Sequence, residues 1–260
     1  MEHFVQPYWL AKVKELENAM ISNPSSYLGT SPFTDTMVVA GGINRLESEA
    51  VHNTFSPDFL DMVEITEPVL GEPTGEFMIH DIPRTFSYNT VRHLWEFSLL
   101  VNESPTFDSC NYFVEWGGGF GNLARLVDLY TDFNSYTIID LPGMCRIQDN
   151  ALSYMGCKNV FLNQTSNIKG AIQLIDLDHL HLMDDQIADC FISCWALSES
   201  GSASIAYVKE RKCFHAESAL IIHQNSNAEF DSASTVESLY DDWTEKFDTP
   251  HLPGNHVLVR

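Results

Sequence analysis

The sequence predicts an α/β fold: a mostly parallel, Rossmann-like sheet with helices on both faces over residues 106–260, preceded by a helical region over residues 1–105. Three observations predict it. Cys110–Glu115 reads as a short buried strand, Trp116–Gly121 as a glycine-rich turn, Asn122–Tyr130 as a helix and Ser135–Asp140 as a second strand. From about residue 106 strands and helices alternate regularly, the pattern of parallel strands joined by right-handed crossovers. Residues 1 to about 105 lack that alternation.

Taken in order, Tyr8–Met20 carries apolar residues at helical spacing and Pro24 ends it. A loop-rich stretch with Pro32, Gly41, Gly42, Pro57, Pro68, Gly71, Pro73 and Gly75 follows, broken by apolar pieces at Met37–Ala40 and Phe59–Val63. Thr90–Val101 is a helix just ahead of the first strand of the sheet. After the second strand, Asn159–Asn163 is read as the third strand, Asp189–Trp195 as the fourth and Ser218–His223 as the fifth, with a helix over Ser202–Phe214 before the fifth. Thr235–Phe247 is read as a helix and His256–Arg260 as a very short last strand. That makes six strands, with a seventh missing or hidden between Asp231 and Asn255.

The turn decides which ligand the sheet is built for. A dinucleotide fingerprint needs glycines at relative positions one, three and six, and no start within Gly117–Gly121 supplies them. A nicotinamide oxidoreductase therefore conflicts with the spacing. What the chain has instead is an acid followed by glycines at every second place, Glu115-x-Gly117-x-Gly119-x-Gly121, with Gly118 filling the run. This is the arrangement that class I methyltransferases use for S-adenosylmethionine. At a strand-to-helix turn side chains would collide with a cofactor, and glycine permits the positive φ that bends backbone beneath it. Glu115 at the strand's end can receive the ligand's ammonium group. Asp140 ends the second strand roughly 20 residues past Gly121, the distance at which α/β nucleotide folds place an acid on the ribose hydroxyls.

Composition excludes more than it assigns. A chain of 260 residues with 44% hydrophobic content can bury a sizeable core. Its 14 basic and 36 acidic residues give a formal charge of −22, which repels nucleic-acid backbones and anionic membranes. A small-molecule acceptor, neutral, cationic or a sugar, is compatible, and so is a homo-oligomer. The N-terminus has no basic segment followed by an apolar core, and no apolar run approaches about 18 residues, so a cytoplasmic location is expected. Six cysteines are scattered without a CxxC framework and read as reduced buried thiols. No metal site is expected: His179 and His181 lack a third ligand at recognisable spacing, and Asp184-Asp185 precede the fourth strand, at the wrong end of the sheet.

Over roughly residues 85–225 the chain resembles the sugar O-methyltransferases of class I and, more loosely, the larger small-molecule O-methyltransferases. The resemblance is carried by Glu115-Trp-Gly-Gly-Gly-Phe-Gly121 with Leu123-Ala-Arg125, by Asp140-Leu141-Pro142, and by Phe191-Ile-Ser-Cys-Trp-Ala-Leu-Ser-Glu199. In the last, Trp195-Ala196 replaces part of the family's Asn-Ser-x-Ser-Leu-x-Glu-like stretch. The resemblance implies cofactor contacts from Glu115, Gly117, Gly119 and Gly121, a ribose contact from Asp140 and an adenine edge lined by Leu141. It implies that Asn163 or Gln164 takes the place that meets the adenine amino group, where an acid is common and an amide can serve. Trp195 has two readings, beside the sulfonium and acceptor or as core packing.

O-methylation is an in-line displacement, so acceptor, methyl and sulfur must be aligned and a hydroxyl proton removed. Ligands of open α/β sheets lie beyond the carboxyl ends of the strands, which makes Glu199 and His223 candidate bases, with His251 in the late Thr-Pro-His-Leu-Pro-Gly turn a third. Tyr8, Trp9, Tyr88, Arg92 and His93 are the N-terminal residues suited to a sugar ring. The competing function is a methyltransferase-like domain that has lost its chemistry and serves binding or assembly.

Overall fold

In a computed structural model the chain is described over residues 3–38, 42–67, 70–224, 245–249 and 252–260, with Val236 and Leu239. The N-terminal region holds α1 (Pro7–Ser22), α2 (Ser31–Thr34), α3 (Arg45–Thr54) and α4 (Pro57–Ile65), then a hairpin of β1 (Thr74–Ile79) and β2 (Ile82–Ser87), then α5 (Tyr88–Glu103). The sheet-forming part follows with β3 (Tyr112–Trp116), α6 (Asn122–Tyr130), β4 (Ser135–Asp140), α7 (Pro142–Tyr154), β5 (Val160–Leu162), β6 (Ala171–Asp176), β7 (Cys190–Cys194), α8 (Ser202–Glu210), β8 (Ser218–Gln224), β9 (Glu245–Asp248) and β10 (Asn255–Val259).

These eight strands form one sheet in the order β5-β6-β4-β3-β7-β8-β10-β9. Pairing is parallel from β5 through β8, and β10 is antiparallel to both β8 and β9. Without the short edge strand β5, this is the seven-strand, mostly parallel sheet of the class I methyltransferase fold, with the helical region at the N-terminus. The order reverses between β3 and β7, and such a switch point opens a crevice at the carboxyl ends of the strands.

Helices cover both faces. Phe113, Ile138, Leu174, Ile192, Leu220 and Ile222 share a core with Leu94, Phe97 and Leu100 of α5 and with side chains of α1, α3, α4, α6 and α7, so one apolar core runs across residue 105. Val114, Ile139, Ile175, Phe191 and Ile221 point to the opposite face and pack with Ile205 and Val208 of α8.

Two expectations are corrected here. The third parallel strand is β6, over Ala171–Asp176, which pairs with β4 along its whole length; Asn159–Asn163 supplies only the short β5 beyond it. The Gly170 turn and the burial of every residue of β6 mark a central strand, whereas β5 is half-exposed. The N-terminal region also contains the β1–β2 hairpin, closed by His80 and Asp81 at φ 55° and 59°. Positive φ at both loop positions is the two-residue hairpin geometry that glycine and asparagine usually signal, and neither stands there. The seventh strand lies within the gap left for it, as β9; its residues 245–247 end the span read as a helix, most of which lies outside the described residues.

Candidate functional site

A cavity of about 530 Å³ opens at the switch point. One end of it is strand ends and turn: Glu115, Gly117, Gly118 and Gly119 after β3, Asp140 and Leu141 after β4, Leu177 after β6, and Cys194, Trp195, Ala196 and Glu199 after β7.

The turn after β3 is backbone built to a tolerance. Gly117 sits at φ +78°, and a Cβ there would lie 2.1 Å from the Ala196 Cβ. Gly119, at φ +55°, is the opposite case, since a Cβ there meets nothing within 4 Å and would project into open space. Gly121 caps α6 at φ +92° and does not line the cavity. The Gln148 amide of α7 donates to the Gly119 carbonyl at 3.0 Å and to Asp140 at 2.7 Å, which ties the turn to the second strand. Asp140 also accepts from the Leu141 N–H at 2.7 Å. Burial nevertheless pushes its carboxyl up to about 7. Glu115 is 2% exposed and accepts from the Tyr136 hydroxyl at 2.9 Å. Burial pushes it up to about 7 as well, and the neighbouring Asp140 adds to the rise.

Trp195 lines the cavity at φ +63°, a left-handed conformation unusual for a bulky residue, with its indole N–H donating to Asn255 at 2.7 Å. Glu199, in the turn after it, lines the cavity too. Asn163 and Gln164 do not. The Asn163 side chain instead brackets Asp176, donating to its carboxylate at 2.7 Å and accepting from its N–H at 3.0 Å. The acid at the end of the third strand is thus Asp176, with Leu177 reaching the cavity just after it. His223 is 0% exposed and lies on the α8 face of the sheet, its ring 5.4 Å from that of His256 across the β8–β10 pair. It does not line the cavity. His251 lies outside the described residues.

The other end is side chain. Asn89, Arg92, His93 and Glu96 occupy one stripe of α5, spaced as i, i+3, i+4 and i+7, and all four line the cavity. Arg92 is held by Glu47 of α3 at 2.9 Å. Asn122 donates to the His93 Nδ1 at 2.9 Å, and desolvation beside Arg92 and Arg125 pushes the imidazole down to about 3, so it is neutral. Trp9 and the Thr34–Val38 segment complete this wall, and the Met37 carbonyl accepts from Asn89 at 3.2 Å. Tyr8 and Tyr88 do not line it. The N-terminal strand segment closes one side: Val5 bridges Ser200, and the Phe4 carbonyl accepts from the Gly201 N–H at 2.9 Å and the Ser204 hydroxyl at 2.7 Å.

Sequence reading missed Glu96, Asn89, the 34–38 segment and Asp176-Leu177. The polar stripe on α5 is a legible signal, because Asn89, Arg92, His93 and Glu96 share one face of the helix at helical spacing. The residues present fit S-adenosylmethionine: a cradle that a side chain at Gly119 would fill, and at the ends of adjacent strands a buried acid, Glu115, and a half-buried one, Asp140, with no basic side chain among the described residues bonded to either. Among the described residues no group of three or more metal-ligating side chains is placed to hold a metal ion, and no helix is long and apolar enough to cross a membrane.

No family model and no curated protein matches the chain. Solved structures do. An O-methyltransferase family protein from Burkholderia thailandensis is 10% identical, with 96% of this chain and 94% of that one covered and a TM-score of 0.45. An O-methyltransferase from neocarzinostatin biosynthesis, in complex with S-adenosyl-L-homocysteine, is 14% identical over 60% of this chain and 51% of that one, with a TM-score of 0.41. The chain therefore spans about half the length of that enzyme. Mitomycin 7-O-methyltransferase is 11% identical over 97% of this chain and 68% of that one, also with a TM-score of 0.41. At these identities the likeness concerns the fold alone, and the fold assignment rests on the strand order of this chain's own sheet.

Proposed function

We propose that the chain is an S-adenosylmethionine-dependent methyltransferase that acts on a hydroxyl of a small polar acceptor, a sugar being the class that the resemblance favours. The observation that carries this reading is the continuity of one cavity from the glycine turn and the strand-end acids to the polar stripe of α5. Glu115 would hold the ammonium group, Asp140 the ribose hydroxyls, and Gly117–Gly119 the backbone path between them, with Leu141 and Leu177 at the adenine edge. Bound there, the cofactor would supply an activated methyl group on a cationic sulfur.

The chain's own part is alignment and proton handling. The N-terminal region read over residues 1–105 would supply the acceptor wall: His93 would present a hydrogen-bond donor, Arg92 a cation already balanced by Glu47, and Trp9 an apolar face for a ring. A net charge of −22 and a partly acidic cavity favour an uncharged or cationic acceptor over a phosphorylated one. Isothermal titration with S-adenosylhomocysteine tests the cofactor site. Binding with a rise in melting temperature, and none with NAD, is the expected result; the reverse overturns the reading. A turnover screen over sugar and small polyol acceptors with labelled S-adenosylmethionine separates an enzyme from a binding domain, which would bind the cofactor and transfer nothing.

A further inference from the structure

We propose that Glu96 is the group that takes the acceptor's hydroxyl proton, and that the positive charge of the cofactor is what ionises it for that task. The inference rests on the cofactor reading above and adds a residue and a switch to it.

Glu96 lies in the third turn of α5, 1% exposed, with its side chain in the cavity wall. Neither of its carboxyl oxygens takes a hydrogen bond from a nitrogen or hydroxyl donor among the described residues. A buried carboxylate without such donors is costly and stays protonated unless a cation arrives. The groups that face it do not supply one in full. Arg92, on its own helix, is engaged by Glu47 of α3; Cys194 at the end of β7 offers a thiol; Glu115 at the end of β3 is a second acid. Burial pushes Glu96 up to about 8, with Glu115 and Glu47 adding to the rise while Arg92 and the Cys194 thiol oppose it. The remaining ionisable groups of the cavity wall are His93, Asp35, Asp140 and Glu199.

His93 is the obvious rival and the hydrogen-bond network disqualifies it. The Arg125 Nε donates to the Asn122 carbonyl oxygen at 2.8 Å, which fixes the orientation of that amide. The Asn122 amide nitrogen must then donate to His93 Nδ1, so the proton of the neutral imidazole sits on Nε2. With Nδ1 occupied and Nε2 protonated, His93 donates and does not accept. Arg125 is itself pinned by the Thr66 carbonyl at 2.8 Å and hydroxyl at 2.9 Å, so the tautomer is set by buried contacts.

The charges then balance through a cycle. A cationic methyl donor lowers the cost of a carboxylate at Glu96, and the proton leaves to solvent. The acceptor hydroxyl passes its proton to Glu96 as its oxygen bonds the methyl carbon, and the electron pair of the broken carbon–sulfur bond stays on sulfur. The cavity then holds a neutral thioether and a protonated Glu96, the uncharged state in which this carboxyl rests without cofactor.

The test needs no acceptor. S-adenosylmethionine carries the sulfonium charge and S-adenosylhomocysteine does not, so calorimetric titration of each, in two buffers of different ionisation enthalpy at neutral pH, counts the protons released. The wild-type protein should release up to about one proton more with S-adenosylmethionine than with S-adenosylhomocysteine. Glu96→Gln should bind both and abolish the difference. As a measurement that does not depend on the variant, the affinity ratio of the two ligands in the wild type should rise by up to about tenfold per pH unit below the pKa of Glu96. Equal proton release in the wild type, a pH-independent ratio, or an excess that persists in Glu96→Gln would each overturn the proposal while leaving the cofactor site standing. Failure of both ligands to bind would overturn the cofactor reading and this proposal with it.

Discussion

At one end of the cavity the wall is backbone: Gly117, Gly118 and Gly119 curve between β3 and α6, and two strand ends place Glu115 and Asp140 beside them. At the other it is side chain: Asn89, Arg92, His93 and Glu96 from one helix, Trp9 from another and residues 34–38 from a turn, with Asn89, Arg92 and His93 held by partners far away in sequence. The first end comes from a stretch of about 25 consecutive residues whose conformation is dictated locally by glycine and strand geometry. The second exists only once α5 has packed on the sheet, α3 on α5 and α1 on α7. A backbone turn of this kind is therefore specified in its own sequence, while a wall of side chains is specified by everything around it.

That contrast is easiest to break where the backbone is tightest. Gly117→Val combines a left-handed φ with a Cβ already 2.1 Å from Ala196, and should cost on the order of 3 kcal/mol of stability as well as cofactor binding. Thermal unfolding checks it, and a variant with wild-type melting temperature would show that the turn has room to relax. Gly119→Leu sharpens the contrast. With nothing within 4 Å of its Cβ, the variant should lose only about 1–2 kcal/mol from the left-handed φ yet fail to bind S-adenosylhomocysteine in a titration, because its side chain fills the cradle.

Asp140→Ala should weaken S-adenosylhomocysteine binding by about 1.5 to 3 kcal/mol, the range for hydrogen bonds made by a charged group. An unchanged Kd would remove Asp140 from the ribose site. The mildest effect is on pH dependence. Glu72 and Glu96, pushed up to about 8, and Glu115 and Asp140, pushed up to about 7, keep protons that the unfolded chain gives up. The folded state thus binds more protons above the ordinary carboxylate range, and stability falls as pH rises through 7 and 8. His93 works in the opposite sense, since its depressed value makes stability fall as pH drops below 6.5. The melting temperature without cofactor should therefore decline between about pH 6.5 and 8.5, and Glu96→Gln should flatten the decline.

Legibility in the sequence followed the same division. Glu115, the glycines and Asp140 were found where they stand because strand, turn, helix and strand are consecutive. Asp176 was missed because β6 follows Gly170 with no helix between it and β5, so the shorter apolar run at Val160–Leu162 took its place in the strand count. His223 looked like an open strand end, but β10 returns antiparallel beside it and sets His256 opposite, which seals that end of β8 on the α8 face.

By itself, then, the sequence determined the parallel sheet, its glycine turn and the acids that end its first two strands, because those features obey rules that operate over a few residues. Tertiary structure alone decided which polar groups share the cavity. The tautomer of His93 is set by Arg125 through Asn122, the charge of Arg92 is met by Glu47 from another helix, and Glu96 is held away from water with no nitrogen or hydroxyl donor among the described residues. Burial and the company of distant residues set those properties, and neither is written in the local pattern of the chain.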